Sequence, residues 1–342
     1  MLNTLPIIAV VTRETRLEGL KARYATTSAA TFRLKQAVGH EVELRKRRIA
    51  KMGRKLDKEQ EQVVMAAAMD LAEESEYESE DEAYQRSVGR LMKELDLGYP
   101  LKKVDRTFVP NFDFGRCVLV VVTGPDGLVA NTAKYVGELP IVAVNPDPAR
   151  NDGVLLPFEI GDARKAVRRV LDERVKTREI TLAEVNTNDG QRMLAFNDFF
   201  VGCSSHVSAR YTIEAESHIE SQSSSGVLVS TGAGSTGWLS SLFNMTAGFC
   251  RFAGRAEPEP VRMSWEDRRL MWAVREPFRS KHSSADLVAG ILEEANELVI
   301  GSQMPTSGVI FSDGIEADFL EFNSGSIARF TVSKQRARLV VG

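Results

Sequence analysis

RCVLVVVTGPDGLVAN, residues 116–131, carries the reading of the whole chain. Residues 117–122 are an unbroken aliphatic run, too short for an ordinary helix and without polar alternation. That is the pattern of a strand buried on both faces of a parallel sheet. Thr123-Gly124-Pro125-Asp126-Gly127 breaks the run, because proline presets one φ angle and glycine accepts backbone conformations that other residues resist. Residues 128–136 then take helix-compatible spacing, so the unit reads as strand, tight turn, helix. In an open α/β sheet such a turn lies at the carboxyl end of the strand, where ligands bind, and the helix start presents unpaired N–H groups to an anion. A carboxylate there would repel phosphate unless it works beside a metal or takes a proton from the substrate, which makes Asp126 the candidate catalytic group. Pro-Asp-Gly is also ordinary turn chemistry, and a second loop further along is what favours the catalytic reading.

The chain has 342 residues, enough for two domains, since single cores usually stop growing near ~250 to 300 residues. Lys and Arg number 44 against 47 Asp and Glu, a formal charge of −3, so no global field favours nucleic acid or a membrane surface. Cys117, Cys203 and Cys250 have no paired spacing and read as reduced core residues, and His40, His206, His218 and His282 form no metal-ligand pattern. No apolar run approaches the ~20 residues that span a bilayer. The first strand begins by Pro6, which leaves no room for a leader, so the expectation is a cytoplasmic protein.

Residues 5–11 read as the first strand. They lead into Thr12-Arg13-Glu14-Thr15-Arg16, a polar and mostly basic segment at the sheet edge that should face the Asp126 turn. Arg13 and Arg16 there either pair with phosphates or belong to a solvated loop. Residues 29–52 have helical periodicity, and their cluster Arg45-Lys46-Arg47-Arg48, which no aromatic residue interleaves, reads as a solvated face and not a nucleic-acid site. Residues 56–95 read as two helices separated near 78–81, with an acidic run from Glu73 to Glu82 taken as exposed surface. A second buried-type strand, 140–144, delivers Asn145-Pro146-Asp147-Pro148-Ala149-Arg150 to the same sheet edge. A charged helix over 161–175 marks the boundary between domains at 1–160 and 161–342.

From residue 178 the pattern changes to short alternating runs, at 178–185, 192–201, 207–216 and 226–230, the signature of β-rich antiparallel structure. Phe196-Asn197-Asp198-Phe199 places an amide beside an acid among apolar residues. Adjacent strand residues face opposite sides, so both can reach one pocket only if the strand bulges or ends there. A bound polyol such as a ribose, or an internal hydrogen bond to a nearby turn, would satisfy them. Then VLVSTGAGSTGW, residues 227–238, runs an apolar strand into three glycines and four hydroxyls before a helix reaching residue 249. Such a backbone nest approaches a nucleotide closely, although no lysine completes a P-loop. Further strands are expected at 270–274, 298–301, 308–312, 328–332 and 338–341, with Arg275-Glu276-Pro277 and Ser312-Asp313-Gly314 as notable turns.

In this order, the loops resemble those of the NAD kinase family, which belongs to the same superfamily as the diacylglycerol and sphingosine kinases. The family's G-G-D-G motif is similar to Gly124-Pro125-Asp126-Gly127, its N-E/D pair to Asn197-Asp198, and its T-G-S-T loop to Gly234-Ser235-Thr236. Thr12 to Arg16 with Arg23-Tyr24, Asn145 to Arg150, Ser224-Ser225-Gly226 and Val274-Arg275-Glu276-Pro277 resemble the mitochondrial-type branch. The resemblance implies an α/β N-terminal domain with an open, mostly parallel sheet, a β-rich C-terminal domain, and a site between them. It implies transfer of the ATP γ-phosphoryl group to the 2′-hydroxyl of the adenosine ribose of NAD, with Mg²⁺ accompanying ATP, and a homodimer joined through the β-rich half. Carried over by residue, Asp126 is the base or metal-proximal carboxylate, and Gly124, Gly127, Arg13 and Arg16 approach phosphates. Asn197, Asp198, Thr231, Gly234, Ser235, Thr236, Asn145 and Asp147 hold NAD.

Two positions depart from the pattern. Pro125 removes a backbone N–H that would face a phosphate, and Leu128 stands where the family has threonine. These changes leave open a weaker phosphate site, a different phosphoryl donor, a kinase for another hydroxyl such as a sugar or lipid, or a dinucleotide-binding relative without turnover.

Overall fold

The computed structural model describes residues 5–24 and 74–342. The helix expected over 29–52, its basic cluster and the first part of 56–95 lie outside the described residues. Strands β1 (Ile7–Thr12), β2 (Leu101–Asp105), β3 (Cys117–Thr123) and β4 (Pro140–Asn145) run parallel in the order β2-β1-β3-β4, with the two-residue β5 (Phe158–Glu159) beside β4. The aliphatic run of β3 is buried on both faces, as its sequence requires. Leu119 and Val121 turn toward Leu91 on helix α2 (Glu74–Glu94), Leu95 just past its end, and Val167. Val120 and Val122 turn toward Val129 and Ala133 of helix α3 (Asp126–Ala133). Each such side chain contributes roughly 1.5 to 3 kcal/mol by leaving water. A short helix α1 (Arg16–Tyr24) follows β1, and α4 (Ile160–Leu171) covers the same face as α2.

The acidic run does not divide a helix pair. Helix α2 passes unbroken through residues 78–81, because Tyr84, Val88, Leu91 and Leu95 form a buried stripe and carboxylates suit a helix start. Nor is the run simply exposed, since Glu80 pairs with Arg13 at 2.6 Å and Asp81 Oδ1 accepts from the Thr15 hydroxyl at 2.8 Å.

The second half is antiparallel and comprises β6 (Thr177–Thr187), β7 (Arg192–Ala195), β8 (Asp198–Cys203), β9 (Ala209–Ala215), β10 (His218–Ser224), β11 (Val227–Ser230), β12 (Arg269–Val274), β13 (Ala289–Glu293), β14 (Leu298–Ser302), β15 (Gly308–Ser312), β16 (Phe319–Glu321) and β17 (Ile327–Val340). One sheet has the order β13-β12-β11-β8-β15-β16. It packs against β9, β14, β17 and β6 through a core that includes Phe199, Tyr211, Trp272, Ile310 and Phe330. The run 192–201 is not one strand. It breaks at Phe196-Asn197, where the chain crosses from the first sheet to the second.

The two segments 328–332 and 338–341 are a single strand, β17, irregular between Val332 and Arg336. It pairs antiparallel with β6 and β14 and parallel with β4 through Arg338↔Pro140 and Leu339↔Ile141, so the parallel strands and half of the antiparallel ones share one sheet. Strands β10 and β16 read weakly in the sequence because they are polar or short and lie at sheet edges. Among the described residues no helix is long and apolar enough to cross a membrane.

Candidate functional site

Helix α3 begins at Asp126, two residues ahead of the expected start, with Pro125 as the residue before its first turn. The Asp126 carboxylate therefore sits at the positive end of a helix, where an acid is favoured. The Leu155 N–H donates to its Oδ1 at 2.6 Å, and among the described residues no group donates to Oδ2. Opposite lies the crossing point of the two sheets. Because β7 ends and β8 begins there, the alternation of a strand is suspended, and Asn197 and Asp198 line the same cavity. That cavity, of about 410 Å³, is lined by Asp126, Gly127 and Leu155 together with Asn197, Asp198, Asp313, Thr236, Trp238 and Trp265.

Asp198 is 6% exposed, and no described group donates to its carboxylate. Burial first, and the charge of Asp313 second, push it up from 3.8 to about 7. Asp313 is the structural centre of this wall. Its Oδ2 accepts from Phe196 N–H at 3.1 Å, and its Oδ1 from Asn197 N–H at 2.6 Å and Asp198 N–H at 3.4 Å. Burial raises this carboxyl too, while the Lys134 ammonium 3.5 Å away and the three amides oppose the rise. The sequence signalled Asp313 only as a turn after a buried strand, and it did not signal Lys134 or Trp265.

The glycine-rich loop enters differently from what its composition implies. Thr231 Oγ1 donates to the Phe196 carbonyl at 2.6 Å and Ser235 Oγ to the Gly232 carbonyl at 2.7 Å, so both hydroxyls face the protein. A Cβ on Gly234 would lie 2.2 Å from the Asn197 carbonyl oxygen, and one on Gly232 1.8 Å from that of Ser264. These glycines let the loop press on residues 196–197. Of this loop's four candidate residues, Thr231, Gly234, Ser235 and Thr236, only Thr236 borders the cavity.

A second cavity, of about 420 Å³, lies on the other side of the 125–126 turn and is lined by Arg13, Arg16, Arg150, Tyr84, Pro125, Asp147 and Asn151. Arg13 and Arg16 both face Glu80, at 2.6 and 3.6 Å, and Arg150 faces Asp147 at 3.8 Å. The Tyr84 hydroxyl donates to the Thr123 carbonyl at 2.8 Å and accepts from Arg13 N–H at 2.9 Å, tying α2 to both loops. Asn145 borders neither cavity. Its amide braces the following loop, donating to Asn151 O at 3.2 Å and accepting from Asp147 N–H at 3.1 Å. Gly124 is buried against Leu128, whose Cδ2 lies 2.7 Å from where a Cβ would stand. Thus Asp126, Asn197, Asp198 and Thr236 meet in one cavity, Arg13, Arg16 and Asp147 in its neighbour, and Gly127 edges the first. Among the described residues no three acidic, His or Cys groups cluster to hold a metal ion.

No protein-family model and no curated protein matches the sequence. Among solved structures, a yeast NADH kinase complexed with NADH is similar over 100% of this chain and 84% of that one, at 16% identity and a TM-score of 0.53. An NAD kinase from Archaeoglobus fulgidus in complex with ATP is similar over 74% of this chain and 88% of that one, at 16% identity and a TM-score of 0.49. With its parallel N-terminal strands running into a β-rich antiparallel half, the chain has an NAD kinase-like fold.

Proposed function

We propose that this protein is a kinase that transfers the γ-phosphoryl group of ATP to the 2′-hydroxyl of the adenosine ribose of NAD, forming NADP. The observation that carries the reading is the cavity that Asp126 shares with Asn197 and Asp198. The 2′-hydroxyl would lie between them, its oxygen forming the new bond to phosphorus as the bond to the ADP oxygen breaks, and its proton passing to Asp126 Oδ2. Asn197 and Asp198 offer an amide and a carboxyl to the remaining ribose hydroxyls. Trp238, which lines the cavity, is stacked on Phe200 at 5.7 Å with 9° between planes and has the Arg275 guanidinium 5.1 Å from its ring centre, and its indole would border an aromatic base. The phosphates of ATP would enter the arginine-lined cavity across the turn, in competition with Glu80 for Arg13 and Arg16.

Magnesium would arrive as its complex with ATP, supplying charge neutralisation. NAD would lie between the 1–160 and 161–342 parts, in a homodimer formed through the β-rich half. The test is NADP formation from ATP, Mg²⁺ and NAD by the purified protein. Wild type should turn over, and Asp126→Asn should lower kcat by about 10² to 10⁴-fold. Undiminished turnover in the variant would remove Asp126 from the chemistry.

Pro125 favours a second reading, a dinucleotide-binding protein without turnover, because the turn lacks one N–H toward a phosphate. NAD binding without NADP formation, with turnover appearing in Pro125→Gly, would select it.

A further inference from the structure

Helix α3 starts at Asp126 and passes at its far end, roughly 12 Å on at ~1.5 Å per residue, directly into Lys134. The side chains of Lys134 and Asp313 are each 2% exposed. An ammonium and a carboxylate taken so far out of water are tolerated only when each is fully engaged. Both have buried partners here, since Lys134 Nζ lies 3.5 Å from Asp313 Oδ2 and donates to Ser312 Oγ at 2.8 Å. Asp313 passes the restraint on. Besides accepting from the three successive amides of residues 196–198, it donates its own N–H to the Asp198 carbonyl at 2.9 Å. Its φ of 54° lies in the left-handed region, where glycine would be the easy choice. An aspartate is held there despite the strain because its side chain grips that backbone.

Lys134 itself lines neither cavity. Resting on the kinase reading above, we propose that Lys134 is a positioning residue which, through Asp313, sets the separation between the Asp126 carboxylate and the Asn197-Asp198 pair. One short helix thus carries the proton acceptor at its start and, just past its end, the cation that locates the acceptor subsite. The arginine-lined cavity shares no member with this relay, so binding of ATP should be insensitive to it.

The experiment compares wild type with Lys134→Met and with the conservative Lys134→Arg, following NADP formation, NAD binding and intrinsic fluorescence. Two of the chain's three tryptophans, Trp238 and Trp265, line the cavity and report its geometry without turnover. The expected result for Lys134→Met is a fall in kcat of about 10²-fold, as for an ångström-scale misplacement. KM for ATP should be unchanged, NAD affinity weaker and the emission maximum shifted, with Lys134→Arg recovering part of each. Should Lys134→Met fail to fold for want of a partner for Asp313, the double variant Lys134→Met/Asp313→Asn removes the stranded charge and is expected to fold with the same kcat loss. Wild-type kcat, NAD affinity and emission in whichever of these folds would overturn the proposal. If wild type itself forms no NADP, the reaction assignment fails separately, and NAD affinity and emission alone decide the role of Lys134.

Discussion

Two glycine-bearing loops face each other across the candidate site, and they use their glycines in opposite ways. In the turn of residues 123–127, Gly127 is exposed, with no atom within 4 Å of where a Cβ would stand. In the loop of residues 230–237, Gly232 and Gly234 are buried against carbonyl oxygens of Ser264 and Asn197. At Gly127 the first turn is open to whatever enters the cavity, although its Gly124 is buried against Leu128, whereas at Gly232 and Gly234 the second is a packing device that holds Asn197 in place. A glycine-rich loop is therefore not of itself a surface for a ligand, and only the neighbours of the missing Cβ distinguish the two uses.

Substitutions can break or sharpen this contrast. Gly234→Ala should be the most damaging, because a methyl 2.2 Å from a backbone oxygen forces the loop off residues 196–197. A loss of about 3 kcal/mol in urea unfolding is expected, and a loss near zero would mean that the loop is not under compression. Asp198→Asn tests the wall the loop presses on. The folded state holds Asp198 up near 7 against 3.8 as its ordinary value, so ionisation is resisted in the fold. The stability this group contributes is present at low pH and is lost as pH rises from about 4 to about 7. The full shift corresponds to roughly 4 kcal/mol, and local relaxation would reduce the effect to about 2. The Asn variant should therefore melt higher than wild type at pH 8 and equally at pH 4. An equal difference at both would mean that Asp198 does not titrate in this range.

Leu128→Thr probes the first turn from inside. Leu128 is 5% exposed and packs in the core beneath Gly124, so a hydroxyl there should destabilise by about 1.5 kcal/mol even if it adds a group toward a ligand. Unchanged thermal stability would show that the leucine is not a core residue. Gly127→Ala should have the smallest effect on stability, a gain of under about 1 kcal/mol from helix propensity, with any loss of NADP formation then attributable to the ligand side. A large destabilisation would erase the difference between the two loops.

Much of the architecture was legible because it rests on local pattern. The unbroken aliphatic runs of β1, β3 and β4 demanded burial on two faces, and the change to alternation after residue 178 announced antiparallel sheet. What the chain does not write locally is the partner of a side chain. Asn197 and Asp198 stood out as polar groups in an apolar run, yet the residue that holds their backbone, Asp313, comes from a turn over a hundred positions away. The hydroxyls of Thr231 and Ser235 looked like ligand contacts, and only the positions of the Phe196 and Gly232 carbonyls show them turned inward. Residues 192–201 read as one strand because a crossing between sheets leaves no mark in an apolar run except the two polar residues at the corner.

The pairing of β17 with β4 joins residues roughly 200 apart in sequence, the kind of non-local contact that slows folding. Until residues 338 and 339 emerge from the ribosome, the flank of β4 that they cover stays bare, an unpaired edge able to recruit any other extended chain. The growing polypeptide should therefore be prone to aggregation for as long as β17 is missing, and pairing of that strand with β4 would close the exposure.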